Sequence, residues 1–151
     1  MYNEALILER LAVIQKTVKR LKALQEQLSR EEFLTNEDAI DIAENRLRRA
    51  LEALFDLGRH LVVKSGLGVP ADYRSIIEKL KDAQILPADF AQKIIGMAGY
   101  RNRLIHEYSK VTPEELYEIL ENRLNDLTLF CHYIVSYLEK ASKEQPLNSD
   151  N

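Results

Sequence analysis

Apolar residues recur at Ile40, Ala43, Leu47, Ala50, Leu51, Leu54, Leu57 and Leu61, in steps of three and four almost without a miss. Such a stripe gathers on one face only if the backbone completes a turn every 3.6 residues. Glu37 to Lys64 is therefore expected to form one amphipathic helix, with Gly66 and Gly68 as its stop. The period returns at Ile7, Leu11, Ile14, Val18, Leu21, Leu24 and Leu28, predicting a first helix from about Asn3 to Ser29. It returns again at Leu116, Ile119, Leu120, Leu124, Leu127, Cys131, Ile134 and Leu138. That last stripe has the clearest start: Thr112 as cap, Pro113 at the first helical position and Glu115 closing a capping box. Pro70 opens a short helix around Asp72 to Asp82, and Pro87 opens a fourth that runs into a polar stretch near residue 100. A short irregular piece with Phe33 and Leu34 separates the first two helices, and Thr35 is the expected cap of the second. Only 5 Gly and 4 Pro leave little room for the many tight turns of an all-β chain. The fold class is all-α, an up-and-down bundle of about five helices. Leu61-Val62-Val63 is the one run ambiguous enough to suggest a strand.

At 151 residues the chain is expected to form one domain, residues 1–141, followed by a frayed polar tail, 142–151, that contains Pro146. The single cysteine, Cys131, excludes an intrachain disulfide and a cysteine zinc cluster. It lies on an apolar stripe and is expected to pack as a small hydrophobe. A reducing, cytoplasmic setting fits, with no signal peptide and no membrane span. The net charge of -3 argues against a broad nucleic-acid coat but leaves room for a small basic site.

The polar stretch is Tyr100-Arg101-Asn102-Arg103-Leu104-Ile105-His106-Glu107-Tyr108. An arginine and a histidine suit RNA cleavage, because RNA carries its own nucleophile in the ribose 2′-OH. His106 can move protons near neutral pH. The planar fork of Arg101 can clamp phosphate oxygens and stabilise charge on a phosphorane-like transition state. On an ideal helix Arg101 and Tyr108 share a face, whereas His106 sits about 140° from Arg101. Their convergence needs a helix end near residues 104–107, or a second subunit. In-line transfer also wants both a base and an acid, which a symmetric dimer supplies as two copies of His106. A plainer role competes: Arg101, Arg103 and His106 can simply complement the dipole at a helix C-terminus. On spacing and composition alone that structural role outweighs catalysis.

The spacing Arg101-x4-His106-x-Tyr108 resembles the signature of the HEPN superfamily in its HepT-like branch. The resemblance continues through Arg46 to Gly68, Pro70 to Tyr73, Ile85-Leu86-Pro87 and Leu116 to Leu120, and covers about residues 4 to 140. It implies a HEPN-like homodimer of helical bundles and the toxin of a type VII toxin–antitoxin pair. The implied activity is a metal-independent endoribonuclease with no cofactor. Arg101 and His106 would be catalytic, Asn102 and Arg103 would contact RNA phosphate, and Tyr108 would be the point where a minimal nucleotidyltransferase antitoxin transfers AMP. The alternative is a non-catalytic subunit that holds a nucleotide or substrate for such a nucleotidyltransferase.

Outside the motif, His60 and His132 read as surface or satisfied core histidines in preference to metal ligands. Arg46, Arg48, Arg49 and Arg59 can extend a basic RNA path, though a solvated helix face is the simpler reading. Gly96 and Gly99 lower helix stability by ~1 kcal/mol each relative to Ala. They fit either a close helix approach, as at a dimer interface, or a simple irregularity.

Overall fold

The computed structural model describes residues 2–106 and 111–144. Helix α1 spans Glu4–Gln27 and is capped by the Asn3 side chain, which accepts from the Leu6 amide. A single turn, α2 (Arg30–Leu34), leads into the longest helix, α3 (Glu37–Lys64). Tyr2 meets Ser65, Arg10 meets Asp56 and the Asn3 amide meets His60, so the start of α1 lies against the end of α3 and the two run antiparallel. Between them the expected stripes close into the core: Ile14, Leu21, Leu47, Leu51, Leu54, Leu57 and Leu61 are fully buried.

Helix α3 ends as its glycines require. Gly66 adopts φ +72, its amide reaches the Val63 carbonyl, and the Leu67 amide reaches back to Val62. This Schellman closure needs a left-handed residue, which glycine supplies at no steric cost. The chain then returns through Pro70 to α4 (Tyr73–Asp82), capped by a reciprocal Asp72–Ser75 pair. Next come α5 (Ala88–Ile94), α6 (Met97–Ile105), α7 (Pro113–Asn122) and α8 (Leu124–Glu144). The described residues contain no strand, and Leu61-Val62-Val63 is helical. None of their helices is long and apolar enough to cross a membrane.

The expected helices are all present, with three refinements. The irregular piece is helical: Ser29 and Glu32 form a capping box, and Phe33 is buried with its ring 5.4 Å from that of Tyr117. Thr35 consequently closes α2, and Asn36 is the residue that caps α3, accepting from the Ala39 amide. The fourth helix is broken at Ile95-Gly96, where Ala98 and Gly99 bond back only three residues, to Ile95 and Gly96. Among the described residues a Cβ added at Gly96 or Gly99 would meet nothing within 4 Å, so neither glycine serves a close approach to any of them. The last helix is broken at Arg123. Its guanidinium donates to the Lys93 carbonyl at 2.8 Å and to Asp126 at 2.9 Å. Asp126 is buried and also faces the Lys93 ammonium at 3.4 Å, so two cations neutralise it and α5 is tied to the α7–α8 break. Helix α8 continues through Glu144, three residues past the expected domain limit.

Candidate functional site

The polar motif occupies the last turn of α6 and the chain beyond it. Met97 and Ala98 bury the start of this helix, leaving its C-terminal end to carry the polar side chains. The helix stops at Ile105, and His106 is its cap, with extended φ -89 and ψ 117 and its amide on the Asn102 carbonyl. The helix end that convergence of Arg101 and His106 requires within one chain is therefore present. Asn102 and His106 are exposed, as is Ile105 at 41%. Tyr108 lies outside the described residues.

Arg101 is held from below. Its guanidinium carbon stands 4.3 Å from the centroid of the Tyr73 ring, and that ring packs on Phe55 at 5.0 Å. Phe55 is buried in α3, and Tyr73 is the first residue of α4, so the Asp72 cap also fixes the ring beneath Arg101. A guanidinium stacked on an aromatic face keeps its in-plane N–H donors directed outward. The Arg101 Nε is buried without a hydrogen-bond partner among the described residues. A buried donor left unpaired carries a free-energy cost that an anionic ligand can relieve.

Arg103 makes a different kind of contact. Its two terminal nitrogens each lie 2.8 Å from a carboxylate oxygen of Glu115, a bidentate pair. Glu115 Oε1 also accepts from the Thr112 amide and hydroxyl at 3.1 and 3.2 Å, while the Thr112 hydroxyl accepts from the Glu115 amide. Arg103, and secondarily the Thr112 amide, hold the Glu115 carboxyl well below the usual range, at about 2. One carboxylate thus caps α7 and staples it to the end of α6. The staple brackets the connection that contains His106 and Tyr108.

Sequence reasoning found the Thr112–Glu115 box but not its second partner, and it missed Tyr73 altogether. Neither signal exists in local spacing, since Arg103–Glu115 and Tyr73–Arg101 are pairs of distant residues. The other histidines behave as ordinary packing groups. His60 Nε2 accepts from the Asn3 amide at 3.0 Å, and burial, followed by the nearby Lys64 charge, lowers its pKa. His132 is exposed and sets its ring edge against Tyr133. Cys131 is buried, which pushes its thiol up to about 12 and makes it inert packing. Among the described residues no group of three His, Cys, Asp or Glu side chains gathers as a metal cage.

An all-helical bundle with an Arg-x4-His motif opening at a helix end is the class of protein defined here. Residues 14–134 match the family described as Ribonuclease HepT-like, and the chain belongs to that family. It is 31% identical over 144 residues to the tRNA nuclease HepT of Aphanizomenon flos-aquae, covering 93% of this chain and 96% of that protein. The mRNA nuclease HepT of Shewanella oneidensis is 22% identical over 130 residues, covering 85% of this chain and 96% of the relative. Among solved structures, a tri-AMPylated HEPN toxin of Shewanella oneidensis in complex with MNT antitoxin superposes with a TM-score of 0.80 at 22% identity, covering 90% of this chain and 99% of that one. A cytosolic protein of unknown function from Bacillus subtilis, YutE, shares the fold at a TM-score of 0.76 and 20% identity, over 98% of this chain and 99% of its own.

Proposed function

We propose that this protein is the toxin of a toxin–antitoxin pair and acts as a metal-independent endoribonuclease. The observation that carries the reading is an intact Arg101-x4-His106 motif at a helix end, in a chain 31% identical to a tRNA nuclease over 93% of its length. In the proposed reaction the 2′-oxygen attacks the adjacent phosphorus and the P–O5′ bond breaks. A base takes the 2′-OH proton and an acid protonates the departing O5′, leaving a 2′,3′-cyclic phosphate and a free 5′-OH. His106 supplies one of these roles, an effect typically worth ~10²–10⁴-fold. Arg101 stabilises charge on the phosphoryl oxygens, typically worth ~10²–10³-fold. Asn102 is exposed one residue on, which supports its reading as a phosphate contact. Arg103 can join it only by loosening its pair with Glu115. A homodimer brings in the second His106, and the exposed Ile105 beside the motif offers it an apolar contact.

Control falls on Tyr108. A minimal nucleotidyltransferase partner would move AMP from a nucleoside triphosphate to the tyrosine hydroxyl, with pyrophosphate leaving. The product places a negative phosphodiester and an adenosine two residues from His106, occupying the phosphate site and blocking RNA. The family's solved complexes of toxin with antitoxin support this partner, and a cytoplasmic location fits both.

Purified protein is expected to cleave RNA in excess chelator, and His106→Ala to abolish cleavage. Nucleotide binding without cleavage by the unmodified protein would instead mark a non-catalytic subunit. Co-expression with the nucleotidyltransferase is expected to add whole AMP units by mass, and Tyr108→Phe to prevent it.

A further inference from the structure

Four cations line a single groove between α1 and α3: Lys16 and Arg20 from α1, Arg46 and Arg49 from α3. The groove encloses about 350 Å³ and no carboxylate lines it. None of the four makes an ion pair or a side-chain hydrogen bond with any described residue. Five of the arginines outside the groove, Arg10, Arg48, Arg74, Arg103 and Arg123, each meet a carboxylate, whereas Arg30, Arg59 and Arg101 pair with none among the described residues. With 24 acidic against 21 basic residues, a carboxylate-free groove holding four cations is a local exception to the charge of the chain. Like charges gathered in a concavity repel one another, and an anion that enters is rewarded by all of them.

The shape of the charge narrows the ligand. Arg46 and Arg49 are one turn apart on α3 and face Lys16 and Arg20 across the groove, so the cations form two rails. Two positive rails track a chain of phosphates, as in grooves that hold single-stranded nucleic acid. Only Val13 and Ile42 supply an apolar lining, too little for the aromatic or aliphatic anchor that a protein partner needs. Arg49 lies about 120° round α3 from Phe55, the residue that backs Tyr73 and Arg101, so the groove is distinct from the motif.

We propose that the α1–α3 groove is a second RNA-contact surface, one that binds the phosphodiester backbone of the substrate away from the motif. The substrate class rests on the ribonuclease reading above. Binding is read by fluorescence anisotropy with a labelled 2′-O-methyl oligouridylate, which has no free 2′-OH to attack and so stays intact. The variant Lys16→Gln/Arg20→Gln/Arg46→Gln/Arg49→Gln keeps the side-chain stems and removes the charge. It is expected to weaken binding by about tenfold or more, and to reduce the salt slope by about 0.7 for each phosphate that is no longer neutralised. Lys22→Gln/Lys140→Gln, exposed elsewhere, is expected to leave both unchanged. Circular dichroism confirms that each variant is folded, and Arg46→Gln/Arg49→Gln alone serves if the fourfold variant is not. RNA affinity and salt slope equal to the parent overturn the proposal, as does loss of nucleotidyltransferase binding with RNA binding intact. Cleavage separates the two readings. A parent that binds through the groove but cuts no RNA sinks the ribonuclease reading alone, whereas RNA cleavage by the groove variant at the parent's KM sinks the groove.

Discussion

Helix α3 and the segment from α5 to α7 are built on opposite plans. Helix α3 runs 28 residues without a break, capped by Asn36 and closed by Gly66, and its buried face is a row of leucines and alanines. The α5–α7 segment is three short helices with a break at Ile95-Gly96, held at its exposed end by side-chain pairs. The first plan obtains order from hydrophobic burial, which is non-directional and large in total. The second obtains position from a few directional contacts, Tyr73 under Arg101 and Glu115 on Arg103. An exposed polar motif needs placement and access, which directional contacts supply and burial alone does not.

The largest effect is expected in the core. Leu54→Ala, at a fully buried position of α3, is expected to cost ~2–5 kcal/mol in urea denaturation. RNA cleavage per folded molecule should stay near the parent's. A large loss of activity in protein still folded would mean that α3 positions the motif directly.

Removing the ring under Arg101 tests the other plan. Tyr73→Leu is expected to lower kcat about tenfold, since a partly desolvated cation–π contact is worth roughly 0.5–2 kcal/mol. Tyr73→Phe keeps the stack and is expected to keep the rate. Equal rates for Leu and Phe would show that the stack is incidental.

Glu115→Gln retains the capping-box geometry but removes the charge that pairs with Arg103. The expected loss is ~1 kcal/mol or less, because the two side chains are 38% and 34% exposed and water screens the pair. The folded carboxyl titrates at about 2, below its ordinary 4.5. Its stabilisation is therefore full above pH 4.5 and is lost as the pH falls toward 2. Thermal melts across that window should show a steeper decline for the parent than for Glu115→Gln, and parallel curves would argue that the pair contributes nothing.

The smallest effect is expected at Gln84, which carries φ 61 in the Schellman closure of α4. A left-handed non-glycine residue costs roughly 1–2 kcal/mol. Gln84→Gly removes that strain but loosens the unfolded chain, for a net gain of a few tenths of a kcal/mol up to about 1. A fall in Tm would mean that the Gln84 side chain supplies a contact that outweighs the strain.

Legibility in the sequence followed the same division. Both ends of α3 agree with the expected Glu37 and Lys64, because a long stripe with caps states its own period and limits. The Thr112-Pro113-Glu115 start was equally plain. Helix α2 was missed although Ser29 and Glu32 spell its capping box, since five residues are too few to show a period. The break at Arg123 left no trace in the apolar pattern, which continues through it. The carboxylate of Asp126 lies only three residues on, but the carbonyl of Lys93, which draws that arginine out of the helix, is brought in by packing.

The sequence by itself determined an all-helical bundle, the start and stop of its longest helix, and a polar motif placed where a helix could end. These are properties of neighbours along the chain, set by turn period, caps and glycines. The tertiary structure decided that Arg101 rests on Tyr73, that Arg103 is paired with Glu115, and that four cations face one another across α1 and α3. Each joins residues far apart in the chain, so its energy depends on distances that exist only after the core has closed.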